Sequence, residues 1–75
     1  MDERLKQRII VDPAVMVGKP VIKGTRVTVE AIVARVAAGV TIQEVLEDFP
    51  HITKLDVQAA LDFDNQRKLT ARARP

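Results

Sequence analysis

The apolar residues change period at Thr28, and that change constrains the fold more than anything else in the chain. Before it, β-branched residues alternate with turn punctuation. Residues 8–12 (R-I-I-V-D) read as a short strand stopped by Pro13, and residues 19–23 (K-P-V-I-K) as a second, with Gly18 before it and Gly24-Thr25 after it. Pro20 has no N–H to give to a ladder, so the second strand should start there or lie at an edge. After Thr28 the spacing is helical. Val29, Ile32, Val33, Val36 and Val40 fall at i, i+3, i+4, i+7 and i+11, a single apolar stripe. Thr28 serves as its N-cap and Gly39 as its left-handed stop. Thr41 caps a second helix with Glu44 three residues on, the spacing of a capping box; Ile42, Val45, Leu46 and Phe49 form its stripe and Pro50 lies just beyond. Thr53 and Asp56 repeat that spacing at the head of a third helix, predicted to run to about Lys68. The expected fold class is mainly α: a three-helix unit over 28–63 behind a short N-terminal β-element at 8–27. Its second and third helices are joined closely enough to form a helix-turn-helix.

Seventy-five residues enclose only a small core. A domain near this size buries about 60% of the surface its unfolded chain exposes, and such domains usually carry a staple. With no cysteine, disulfides, thiolate zinc sites and cysteine nucleophiles are excluded. With one histidine, so are the usual multi-histidine metal sites. No metal and no cofactor is expected, and association becomes the remaining source of stability. The third helix points the same way: Leu55, Ala59 and Phe63 mark one face, while Val57, Ala60 and Leu61 fall on another. A helix apolar on two sides is buried on two sides, so a homodimer is expected. Met1-Asp2-Glu3-Arg4 opens the chain with charges, and neither a signal-peptide pattern nor an apolar run of roughly 20 residues follows. The expected location is cytoplasmic, with no membrane contact.

The net charge of +2 hides a segregation. Residues 1–35 carry +3, residues 36–64 carry −5, and residues 65–75 carry +4 through Arg67, Lys68, Arg72 and Arg74. The middle repels phosphate, so any nucleic-acid contact should come from the ends. Phe49 and Phe63 are the whole aromatic content, little for a single-strand binder to stack on. On the third helix Lys54, Asp56, Gln58, Asp62 and Asp64 are the expected exposed polar residues, net −2 where a DNA-reading helix prefers positive charge. DNA binding, if it occurs, is therefore expected to be weak and to rest on Lys19, Lys23 and Arg26, with Lys54 and Gln58 contributing from the third helix.

The remaining motifs have bland readings that outweigh the chemical ones. Glu44, Glu47 and Asp48 share a helix face and the oxygen chemistry of a cation site, but that spacing also describes the solvated side of an amphipathic helix. His51 lies in an inter-helix turn, in a chain without serine, and reads as a turn residue rather than a base. Gly18-Lys19 and Gly24-Thr25 lack the G-x-x-x-x-G-K-[ST] pattern of a phosphate loop, and their glycines serve turns. No catalytic residue is expected, and the protein is not expected to be an enzyme.

One stretch carries a stronger signal. Residues 18–27 (G-K-P-V-I-K-G-T-R-V), with residues 8–13 before them and the runs at 38–53 and 56–61 after, resemble the signature of the prokaryotic domain-of-unknown-function 433 family. The resemblance spans roughly residues 8–63. It implies a homeodomain-like helical fold behind short strands and a role as antitoxin beside a PIN-like ribonuclease toxin. The domain is accordingly expected over 1–63, with 64–75 forming the helix end and a flexible basic tail. The toxin is expected to meet Leu55 and Phe63 on the third helix and Arg67, Lys68, Arg72 and Arg74 beyond it. The alternative is a small helix-turn-helix transcriptional regulator without a toxin partner.

Overall fold

The structure, a computed structural model, describes residues 3–72. It is mainly helical behind a two-stranded sheet, as the change of period predicts. Strand β1 (Ile9–Ile10) pairs antiparallel with β2 (Val21–Ile22), Ile9 opposite Ile22 and Ile10 opposite Val21. Both strands are two residues long where five were expected, because turns cut in early. Asp12 closes one, its carboxylate accepting from Ala14 N and its carbonyl from Val15 N. At the far end of β2, Thr25 N and Thr25 Oγ1 both donate to Ile22 O, with Gly24 at φ +80° in the turn. On its other side β2 bridges Val21 to Thr28, and Pro20 O accepts from Val29 N. Flanked on both sides, Val21 and Ile22 are buried and start the core.

Between the strands, Met16, Val17 and Gly18 all take positive φ in a single left-handed turn. Val17 sits at φ 57°, ψ 37° and is 94% exposed, a β-branched residue in a conformation that favours glycine.

The helices follow their caps. Helix α2 (Val29–Ala37) starts where Thr28 Oγ1 accepts from Ala31 N, at 3.0 Å. It ends in a Schellman motif: Val40 N donates to Arg35 O and Gly39 N to Val36 O, with Gly39 at φ +90°. Helix α3 (Ile42–Asp48) is capped by Thr41, whose hydroxyl accepts from Glu44 N and donates to the Glu44 carboxylate. Helix α4 (Lys54–Arg72) opens with a reciprocal cap, Asp56 N donating to Thr53 Oγ1 and Thr53 N to Asp56 Oδ2. The core joins Ile22, Val29, Ile32, Val45, Ile52, Val57 and Ala60, so β2 and all three long helices meet in one cluster.

Several expectations need correction. One turn of helix, α1 (Glu3–Lys6), precedes the sheet and packs on α4. With α1, α2 and α3 all packed on it, α4 buries Val57, Ala59 and Ala60 within the chain. Ala59 and Ala60 are fully buried, while Leu55 is 41% exposed, so the expected Leu55-Ala59-Phe63 face divides. Ile42, assigned to the α3 stripe, is also largely exposed. Asp56, expected on the open face of α4, is buried. Helix α4 also runs four residues past its expected end at Lys68. Lys68 and Arg72 therefore lie on helical backbone, whereas Arg74 falls outside the described residues.

Candidate functional site

The cations that the sequence gathers within eight residues are separated by the hairpin into three different hollows. Lys19 precedes β2, Lys23 follows it, and Arg26 lies past the turn. Lys19 lines a hollow of about 460 Å³ with Glu30, Asp64 and Arg67 over an apolar floor of Val29, Val33 and Ala34. Its Nζ is 3.7 Å from Glu30 Oε2. A residue assigned to DNA and one assigned to the toxin thus share a hollow whose two cations face two carboxylates, with no net charge to draw an anion.

Arg26 lines a groove of about 550 Å³ whose other walls include Met16, Val27, Phe49, Pro50 and His51. Arg35 closes the α2–α3 junction behind it. Its Nε donates to Asp48 Oδ2 at 3.2 Å, and its guanidinium lies 4.4 Å from the Phe49 ring centroid. Of the Glu44, Glu47 and Asp48 face, Asp48 is spent on this pair and Glu44 on its cap.

Lys23 belongs to the third hollow, about 420 Å³, lined by Arg4, Gln7, Arg8, Lys23, His51, Thr53 and Asp56. Its organising group is Asp56. Oδ1 accepts from Arg8 Nη1 at 3.0 Å and Oδ2 from Thr53 N at 2.9 Å, so both oxygens are engaged and the side chain is only 7% exposed. Arg8 keeps 40% of its side chain exposed. Lys23 is held beside it because Lys23 N donates to Arg8 O at 2.8 Å. Sequence reasoning missed this cluster. Arg8 and Asp56 stand 48 positions apart, and no local pattern joins Arg4, Lys23 and His51.

The remaining assigned residues lie along α4. Lys54 and Gln58 are exposed, and Gln58 Nε2 donates to Asp62 Oδ1 at 3.0 Å. Phe63 is half-buried against the core with the Arg67 guanidinium 5.8 Å from its ring centroid. Leu55 stands at the opposite end of the helix, so it and the basic end do not form one patch.

These features define a small, mainly helical domain led by a two-stranded sheet, with Glu30, Glu44, Asp48 and Asp56 committed to caps and to pairs between elements. The chain belongs to the family described as protein of unknown function (DUF433), whose model matches residues 9–63. It is similar to the crystal structure of a DUF433 member protein from Anabaena variabilis: TM-score 0.78 and 29% identity, over 91% of this chain and 67% of that one. An uncharacterized protein of Archaeoglobus fulgidus is 68% identical over 25 residues, 33% of this chain and 69% of that protein. No described helix is long and apolar enough to cross a membrane.

Proposed function

We propose that the protein is a non-catalytic, antitoxin-like partner of a PIN-like ribonuclease, and that it acts through the basic end of α4. The observation that carries this reading is where α4 leaves the core. Phe63 still packs on the hydrophobic cluster, whereas Asn65, Gln66 and Arg67 are exposed and the helix continues to Arg72. That stretch holds Arg67, Lys68 and Arg72 and no acid. Metal-dependent nucleases gather carboxylates in one pocket, and such a cluster favours any cation brought into it. Arginine suits the role because its planar fork pairs with carboxylates bidentately and stays charged. A helix also presents its cations with less ordering cost than a free tail. Arg72 is the residue we assign to the nuclease pocket.

The alternative, sequence reading by α4 in a DNA groove, has less in its favour. The outward face of the helix before its basic end carries Lys54, Leu55, Gln58, Asp62, Asn65 and Gln66, its one cation offset by Asp62, and Gln58 is already bonded to Asp62.

The test compares the full chain, a truncation ending at Asn65 and Arg72→Glu as inhibitors of RNA cleavage by a PIN-like ribonuclease. Because the core ends at Phe63, the truncation should keep its helical fold. Both variants should lose inhibition by about tenfold or more. Undiminished inhibition by the truncation at equal concentration would rule the mechanism out.

A further inference from the structure

Among the described residues the sheet ends on an open edge, the outer side of β1. Lys23 N donates to Arg8 O, while Ile22 N turns away to Val27 O. In an antiparallel ladder this makes Ile9 and Ile22 the non-hydrogen-bonded pair, so the N–H and C=O of Ile9 point away from β2. Pro13 holds Asp12 extended, so the pleat continues past Ile10 and points the N–H and C=O of Val11 the same way. None of these groups has a backbone partner among the described residues. Strand β2 has no such edge, because its far side is spent on Val27 and Val29. An open edge is a template for a further strand.

The sequence along that edge is complementary to itself. Residues 8–12 read R-I-I-V-D, a cation, then apolar β-branched residues, then an anion. Laid antiparallel about a two-fold axis at Ile10, two such strands set Arg8 opposite Asp12, Ile9 opposite Val11 and Ile10 opposite Ile10. The outward groups of Ile9 and Val11 then exchange both their hydrogen bonds on each side of the axis. An axis at Ile9 or at Val11 would also match outward groups. It would set Arg8 opposite Ile10, or Ile10 opposite Asp12, and lose the charge pairs that favour the first register. Both charges have capacity to spare. Arg8 spends only Nη1 on Asp56 and keeps 40% of its side chain exposed, while the exposed Asp12 gives only Oδ1 to Ala14 N. Val11, 58% exposed in the free chain, gains cover from Ile9 of the second copy.

We propose that β1 is a homodimer contact, pairing antiparallel with β1 of a second copy about Ile10 to join the two small sheets into one. A two-stranded hairpin is marginal by itself in water, and a chain of 75 residues without cysteine has no covalent staple. Pairing at β1 extends the sheet and satisfies its open edge together. The contact does not depend on the role assigned to α4.

The test uses the full chain. Sedimentation equilibrium between about 1 μM and 1 mM protein should show monomer and dimer in exchange. Val11→Pro removes an outward N–H that nothing in the described chain uses, so the helical circular dichroism should stay while dimerisation weakens about tenfold or more. Asp12→Asn keeps an oxygen for Ala14 N and loses only the charge. It should weaken dimerisation about three- to tenfold at low salt and flatten its salt dependence. Disulfide trapping reads the register, in a chain that has no cysteine of its own. Cα atoms of a non-hydrogen-bonded pair lie about 4.5 Å apart, within disulfide reach. Ile10→Cys should therefore oxidise to a covalent dimer faster than Val17→Cys, although Val17 is 94% exposed. A monomer throughout the concentration range would overturn the proposal. So would a dimer that Val11→Pro leaves intact, or an Ile10→Cys protein that crosslinks no faster than Val17→Cys, since either result puts the contact on another surface.

Discussion

Asp56→Ala strikes two contacts at once, and its cost can be built from them. The carboxylate satisfies Thr53 N at the head of α4, one half of a reciprocal cap worth about 1 kcal/mol. It also pairs with Arg8 at 3.0 Å, tying β1 to α4 across 48 residues. The Arg8 side chain is 40% exposed, so solvent screens the pair and it contributes about 0.5–1 kcal/mol. The expected loss is therefore about 1.5–2 kcal/mol, read as a drop of roughly 10 °C in melting temperature for a domain of this size. Arg8→Ala breaks the same pair from the other side. It leaves a carboxylate that is 7% exposed with only a backbone donor, so it should cost about as much although no cap is lost. In the Asp56→Ala background, Arg8→Ala should cost almost nothing, because a half-exposed arginine without its acid simply hydrates. Urea unfolding followed by far-ultraviolet circular dichroism on the four proteins of this cycle should give a coupling of about 1.5–2 kcal/mol. An Asp56→Ala protein within about 0.5 kcal/mol of the parent, or an Arg8→Ala effect unchanged by loss of Asp56, would refute the reasoning.

Two backbone substitutions should move stability in opposite directions. Val17→Gly removes a β-branched residue from φ 57° at a position 94% exposed, so relief of about 1–2 kcal/mol outweighs the added unfolded-state entropy, and the melting temperature should rise by a few degrees. Gly39→Ala puts a side chain at φ +90° in the Schellman cap of α2; no atom lies within 4 Å of the new Cβ, so strain alone should cost about 1 kcal/mol. Both are read by thermal unfolding, and a destabilised Val17→Gly protein would show that the left-handed turn is not strained.

The elements that could be read from the chain are those whose causes lie within a few residues. Thr28, Thr41 and Thr53 cap the helices they head, and Gly39 ends α2 in the left-handed conformation, because a cap or a stop is a hydrogen bond to a neighbour three to five positions away. The change of period at Thr28 likewise follows from which neighbours share a face within one turn or one pleat. Tertiary packing decided what periodicity cannot express. The two apolar sectors of α4 look alike in sequence whatever packs on them, and the fold shows Val57, Ala59 and Ala60 buried within the chain. Asp56 has the sequence spacing of a cap, yet its burial and its pair with Arg8 depend on β1 arriving beside the head of α4. Lys19, Lys23 and Arg26 are near neighbours along the chain, but the hairpin turns them into three separate hollows. Local hydrogen bonds and side-chain periods are written into short stretches, whereas a charged hollow is made by residues from four elements that meet only when the core closes.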